Sequence, residues 1–421
     1  MASASFNRPL CRRALIAVCS AILTIYIFLF TRPLPPASTS HSSLYGPRQS
    51  DVGSKPLQSP KKDADDKGHA HFNANGKSKV KDLYSDWRSN PSYLISHGST
   101  TCMQPISSYT HSKARTTRRL CDMHSPFNLT TTPSRSPRIA ALIAHYGSDR
   151  AYGPALQTHL LHGLVHEHEV HVLCDPIVDA VWNKPAFLLK LMMEEMMKPE
   201  EKRLEWIFWS DRDTMILDQC RPISSFLPPQ RSTQDPPRPT PTPGLFTRLL
   251  FKIGLGSSGS NGPKNVHLLI ANDKNGLNAG IFLLRVSHTS ISFLTAILSY
   301  PTHHRKTRLR FKEQTAMSLL ISTPEFRPHI QIVPQHWFNS YTGATVFAER
   351  MNTTGLEGGF REGYVRRGDF LVHFAGNKKK EQNVKQWAEM LDKEGVVWAN
   401  KGGIQRDGHQ EVTKFWKDLG Y

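Results

Sequence analysis

Two aspartates one residue apart, Asp211 and Asp213, close the run Leu204-Glu205-Trp206-Ile207-Phe208-Trp209-Ser210-Asp211-Arg212-Asp213-Thr214. The aromatic and β-branched residues before them predict a buried strand. Side chains alternate along extended chain, so the two carboxylates point one way and Arg212 the other. Open α/β sheets bind ligands just beyond the carboxyl ends of their strands. Paired carboxylate oxygens there suit Mg²⁺ or Mn²⁺, and the metal's open positions suit a diphosphate. The bland alternative for so short a motif is a solvated turn after a core strand.

Further polar segments have the composition of ligand-side loops. Asn272-Asp273-Lys274-Asn275-Gly276-Leu277-Asn278-Ala279-Gly280 precedes an expected strand at residues 281–285. Asn272-Asp273 reads equally as an ordinary turn. Glu313-Gln314 opens an expected helix, where acids favour the first turn. Val333-Pro334-Gln335-His336-Trp337-Phe338-Asn339-Ser340-Tyr341 is an aromatic-rich loop, and Leu371-Val372-His373-Phe374-Ala375-Gly376 is an apolar strand running into a histidine and a glycine. His166-Glu167-His168-Glu169-Val170-His171 looks metal-binding but leads into a strand, whose side chains would face opposite ways. Gly254-Leu255-Gly256-Ser257-Ser258-Gly259 lacks the Gly-Lys-Ser/Thr that opens a phosphate-binding helix.

The elements that must position these residues follow a β-α-β-α-β order. Residues 139–144 read as a first strand, 152–164 as a helix, 169–173 as a second strand and 185–197 as a helix with Pro185 in its first turn. The 206–209 strand comes next. Such alternation predicts an α/β fold with a mainly parallel sheet and crossover helices. Residues 228–264, rich in Thr-Pro, interrupt as an expected disordered insertion, and the core resumes at Val266 and runs to about Trp398.

The rest of the 421 residues is less core-like, with 38% apolar content and 29 prolines. Residues 14–30 are an uncharged apolar run after Arg8, Arg12 and Arg13. They predict a short transmembrane signal-anchor with residues 1–13 cytosolic and the remainder lumenal. The rival is a cleaved signal peptide, but Arg32-Pro33 follows with no small-x-small cleavage site. Residues 31–135, rich in Pro, Ser, Thr, Lys and Gly, read as a largely disordered stem whose last part, 93–121, folds back onto a domain at 136–421. The sequons at Asn128 and Asn352 agree with a lumenal location. Cys102, Cys121, Cys174 and Cys220 permit disulfides there in three complete pairings, with Cys102–Cys121 expected as a short closure. The formal charge of +18 would attract an anionic donor or membrane surface. No nucleic-acid module accompanies it, and no nucleic-acid partner is expected.

The ordered motifs resemble the fungal galactosyltransferase/mannosyltransferase family, glycosyltransferase family 34, which also includes plant xyloglucan xylosyltransferases. The resemblance runs from about His145 to Trp387. It rests on the D-x-D after a Trp-rich strand, Gly276–Gly280, Glu313-Gln314, Val333-Pro334-Gln335 with Asn339, and His373-Phe374-Ala375-Gly376. It implies a GT-A fold in a type II Golgi membrane protein that retains anomeric configuration. By the same resemblance, Asp211, Asp213 and His373 hold Mn²⁺ or Mg²⁺. Gly147, Tyr152, Asp211, Asn278, Gly280, Gly376 and Lys378 meet a nucleotide-sugar donor, either UDP-galactose or GDP-mannose. Asp273, Glu313 and Gln314 are the catalytic candidates, with Glu313 standing where relatives commonly carry Asp. The implied partners are a glycan or glycoprotein acceptor and other Golgi glycosyltransferases in a complex. A catalytically degenerate Golgi scaffold and a metal-dependent hydrolase are the alternatives from other function classes.

Overall fold

The computed structural model describes residues 93–421 apart from 99–101, 104, 128, 130–135, 147–150, 230–265 and 343–362. The apolar run at 14–30, both sequons, Gly147 and nearly all of the 228–264 insertion lie outside the described residues. Among the described residues no helix is long and apolar enough to cross a membrane.

The strands are β1 (Leu94–His97), β2 (Ile139–Ala144), β3 (Glu169–Leu173), β4 (Trp206–Ser210), β5 (Thr214–Ile216), β6 (Leu268–Asp273), β7 (Gly276–Arg285), β8 (Ile330–Val333), β9 (Ser340–Tyr341) and β10 (Leu371–His373). The helices are α1 (Ser108–His124), α2 (Gly153–His166), α3 (Asn183–Met196), α4 (His288–His303), α5 (Lys312–Leu320), α6 (Lys380–Glu394) and α7 (Gly408–Asp418). A seven-stranded sheet has the order β1-β3-β2-β4-β7-β6-β8. Its pairings are parallel except where β7 runs antiparallel to β4 and β6. The molecule is therefore mixed α/β with a mostly parallel central sheet, as the alternating pattern predicted.

Period-two burial explains its layers. Ala141, Ile143, Trp206, Phe208, Ile281 and Leu283 face one cluster together with Ala114 and Cys121 of α1 and Leu156 and Leu160 of α2. The intervening Ala140, Leu142, Ile207, Trp209, Phe282 and Leu284 face the other, with Phe187 and Leu191 of α3, Phe293 of α4 and Ala316 of α5. Both faces are covered, so β2 and the Trp206–Trp209 part of β4 are apolar at every position, as buried parallel strands must be.

The folded unit starts well before residue 136. β1 pairs with β3 at the sheet edge, and α1 packs on α2. The folding-back expected for 93–121 thus takes the form of an edge strand and a covering helix. The unit also continues past Trp398: Val412 and Trp416 of α7 are buried, and the Trp416 indole donates to the Phe226 carbonyl at 3.1 Å.

The expected Cys102–Cys121 pairing is wrong. Cys102 bonds Cys174 and Cys121 bonds Cys220. The chain between Cys102 and Cys121 is mostly the rigid 17-residue helix α1, which spans about 25 Å and holds its ends apart. The Cys121–Cys220 bridge ties α1 to the segment just after β5. Replacing both cysteines by alanine is expected to cost about 2–4 kcal/mol, read as a lower urea midpoint with a somewhat larger m-value, since the uncrosslinked denatured chain exposes more surface.

Candidate active site

A second, three-stranded sheet, β5-β10-β9, creates the site. β4 ends at Ser210, the chain turns through Asp211–Asp213, and it re-enters extended form as β5. β10 pairs antiparallel with β5, setting His373 opposite Thr214. The Phe374 amide donates to the Asp213 carbonyl at 2.9 Å. This register brings a histidine that is remote in sequence against the D-x-D.

One ligand atom each from Asp211, Asp213 and His373 lies within 4.8 Å of the others. His373 Nε2 is 3.5 Å from Asp213 Oδ1, while Nδ1 meets Asn339 Oδ1 at 2.8 Å. A proton donated from Nδ1 to that amide oxygen leaves Nε2 free to ligate. Two carboxylates and an imidazole fit a divalent cation such as Mn²⁺ or Mg²⁺. Asp213 is nearly buried, which alone would raise its pKa, but His373 and Lys380 hold it well below the usual carboxylate range. The Lys380 ammonium contacts Asp213 Oδ2 directly.

The other carboxylate faces a different cation. Lys184, near the start of α3, places Nζ 3.0 Å from Asp211 Oδ1 and 3.4 Å from Glu313 Oε1. It donates to the Ala279 carbonyl at 2.7 Å. Burial would lower the lysine's pKa, but Asp211 and Glu313 raise it overall, so it stays an ammonium. The Trp209 indole donates to Asp211 Oδ1 at 2.9 Å. Glu313 is buried in the first turn of α5 and its pKa is raised, chiefly by that burial. Gln314 Oε1 accepts from the Ala279 amide at 3.1 Å.

The expected loop at 272–280 is a hairpin. β6 continues to Asp273, Lys274-Asn275 turn, and β7 begins at Gly276 rather than Ile281. Gly276 has φ +104°, which glycine adopts freely. Asp273 is engaged at both oxygens: Oδ1 accepts from the Asn275 amide at 2.6 Å, and Oδ2 from Asn278 Nδ2 at 3.0 Å and from the Tyr341 hydroxyl. Asn278 Oδ1 in turn accepts from the Gly280 amide at 2.8 Å. Asp273 and Asn278 thus brace the start of β7.

Gly280 is required by close approach. A Cβ there would lie 2.4 Å from His373 Cε1 and 2.9 Å from Asn278 Oδ1. Gly280→Ala is therefore expected to displace the His373 ring and weaken Mn²⁺ binding by about 10–100-fold, the scale of losses when a ligand's orientation is disturbed. Titration of free Mn²⁺ by electron paramagnetic resonance reads this without turnover.

Tyr152 caps α2 and lies beneath the Arg212 guanidinium, 4.6 Å from its ring centroid. Gly376 has φ +67° and open space around its Cα. Lys378 is exposed and makes no ion pair with a described residue; Lys380, two positions on, reaches Asp213 instead. The reason is helical: Lys380 opens α6, which packs near α2 and directs its first side chain inward. Lys184, Tyr341 and Lys380 escaped the sequence reading. Lys184 carries no local signal, because its partners come from β4 and α5.

Carboxylates, lysines and a histidine facing one another at the carboxyl end of a parallel sheet suit a metal-assisted transfer from an anionic leaving group. The chain belongs to the galactosyl transferase GMA12/MNN10 family, whose model matches residues 161–383, just over half of its length. It is 26% identical over 218 residues to a probable alpha-1,2-galactosyltransferase, gmh1, of Schizosaccharomyces pombe, covering 52% of this chain and 60% of that protein. It is 24% identical over 234 residues to an uncharacterized alpha-1,2-galactosyltransferase of the same organism, covering 53% and 56%. The chain thus spans less than two thirds of the curated relatives it matches. Among solved structures it is similar to a glycosyltransferase involved in glycosylation of the major capsid of PBCV-1, with TM-score 0.39, 12% identity, and coverage of 60% of this chain and 100% of that one. A TM-score of 0.39 does not define the fold.

Proposed function

We propose that this protein is a metal-dependent, retaining hexosyltransferase of GT-A type that moves a sugar from a nucleotide donor to a glycan acceptor. The observation that carries the reading is the convergence of Asp211, Asp213 and His373 within 4.8 Å, with the ammonium groups of Lys184 and Lys380 on either side. Asp211, Asp213 and His373 would hold Mn²⁺ or Mg²⁺, which when bound offsets charge on a departing diphosphate. Lys380 adds cationic charge on the Asp213 side and can follow the leaving group. Lys184 keeps Asp211 and Glu313 from repelling one another and orients both. Glu313, held by Lys184, would stabilise a developing sugar cation electrostatically. With Asp273 engaged at both oxygens, the same-face route, in which the acceptor proton passes to the leaving phosphate, is favoured over a covalent intermediate there.

The names of the matched relatives favour galactose over mannose, and so UDP-galactose over GDP-mannose. The apolar run at 14–30 supports a single-pass type II Golgi membrane protein with the catalytic unit lumenal. Association with other Golgi glycosyltransferases belongs to the same reading. The test is to incubate purified protein with Mn²⁺, each nucleotide sugar and a mannan-derived acceptor, and to measure product and free sugar. Transfer from UDP-galactose is expected. Release of free sugar without any transfer would establish a hydrolase, and donor binding without turnover a scaffold.

A further inference from the structure

Between α4 and α5 the chain reads His303-His304-Arg305-Lys306-Thr307-Arg308-Leu309-Arg310-Phe311-Lys312. Arg305, Lys306, Arg308, Arg310 and Lys312 are all exposed, with no acid among them. None forms an ion pair with a described residue, although exposed cations elsewhere do, as in Arg118–Glu167 and Lys190–Glu194. The segment is held in shape. Leu309 packs against the core, and the amides of His304, Thr307 and Lys312 donate to Tyr300, His304 and Leu309. Lys312 sits at φ +44°, a left-handed conformation unusual for a side-chain-bearing residue. This turn delivers the chain directly into Glu313. Unpaired like charges held together repel one another, so a fixed, unneutralised cluster costs stability unless an anion offsets it.

Its placement selects the anion. Contacts across the site run Lys380, Asp213, Asp211, Lys184, Glu313, and the basic segment follows Glu313. It therefore lies on the Glu313 side of the site, away from Lys380, where the proposed reading puts the diphosphate. Beside it Phe311 is 48% exposed under Arg310, and the turn Ala180–Trp182, which packs on α5, exposes Val181 at 41% with Ile177 and Val178 next to it. Cations mixed with apolar surface suit a sugar chain, whose ring faces are apolar, carrying an anionic substituent.

We propose that residues 305–312 form an acceptor subsite for a phosphate-bearing glycan. The identity of the subsite rests on the transferase reading above, but phosphate-dependent binding does not, so the two can fail separately. The probe is a fluorescent mannose oligosaccharide carrying a phosphate monoester, compared by anisotropy with its phosphatase-treated form. The full chain is expected to bind the phosphorylated probe about tenfold more tightly, with the difference shrinking as salt rises. The variant R305Q/K306Q/R308Q/R310Q should lose that preference. Its melting temperature should not fall, its Mn²⁺-dependent donor turnover should be unchanged, and KM for phosphorylated acceptor should rise with kcat kept. Equal binding of both probes would overturn the proposal. So would a variant-sensitive attachment to phosphatidylserine vesicles with no preference between the probes, which would make the segment a membrane contact. Phosphate-dependent binding in a protein that turns over no donor would keep the subsite and remove the transferase reading.

Discussion

Asp213→Ala is expected to reduce the proposed sugar transfer by at least about 10³-fold, because it removes a proposed metal ligand and a charge that would act in the transition state. Asp213 is the more buried of the two aspartates and holds both neighbours: Oδ1 faces His373 Nε2 at 3.5 Å and Oδ2 meets Lys380. Removing the carboxylate leaves a lysine and an imidazole facing each other with nothing between. Asp213→Asn keeps the shape while withdrawing the charge. It should keep the fold, with a lower melting temperature from the lost Lys380 ion pair, and still lose the proposed Mn²⁺ binding and transfer. Arg212→Ala is the contrasting variant, since its guanidinium lies over the Tyr152 ring and Arg212 is not among the grouped metal-ligand candidates. It should keep most activity. An Asp213→Asn enzyme with undiminished transfer would remove the metal site from the mechanism.

The parts of this site legible in sequence were those written in local pattern. The Trp206–Trp209 run announced β4, and the D-x-D at its end announced the carboxylates. The period-two alternation that puts Ile207 and Trp209 on one face and Trp206 and Phe208 on the other is local too. The parts that stayed hidden depend on register between distant segments. That β5 pairs with β10, and so sets His373 beside Asp213, follows from no residue in either strand alone. The resemblance supplied His373, and it did not single out Lys380, which the first turn of α6 presents to Asp213. Lys184 lay just ahead of the expected helix at 185–197, whose Phe187 and Leu188 are core. The disulfides failed for the same reason: short sequence separation suggested Cys102–Cys121, and a helix between them made spatial separation large.

The histidines that invited a metal reading, His166, His168 and His171, do something else: His171 pairs with His97 and Glu169, and the other two join His162 in a cluster. His162, His166 and His168 cluster under Phe370, with His159 nearby on α2. Among the described residues they join no metal-ligand group. His162 Nε2 donates to the Arg221 carbonyl at 2.9 Å and His166 Nε2 to the Gln219 carbonyl at 2.9 Å. His159 Nε2 meets the Thr214 hydroxyl at 3.0 Å. Nδ1 of His159 and His162 and Nε2 of His168 are buried without a hydrogen-bond partner. Each ring is therefore satisfied only when neutral, and a second proton would be a buried charge without an acceptor.

Burial accordingly pushes His159 and His166 down to about 4 and His168 to about 3, and drives His162 down as well. Unfolded, the same rings titrate near 6.5. Between these values the unfolded chain binds more protons than the folded one, so stability is full above about pH 6.5 and falls as the pH drops toward 4. Each ring contributes on the order of 3 kcal/mol to that loss. Asp218 works in the opposite sense. Burial raises it to about 6, against hydrogen bonds from Trp398 and Cys220, so its cost is relieved as pH falls through 6. One such carboxyl offsets about one histidine. The remaining loss is a large part of the ~5–15 kcal/mol that stabilises an ordinary domain. The folded unit is therefore expected to melt far lower at pH 4.5 than at pH 7.5, and His168→Phe should flatten the dependence. A melting temperature that is level across this range would mean the cluster is hydrated and open. Because Thr214 links His159 to the strand opposite His373, transfer activity should be lost over the same pH interval.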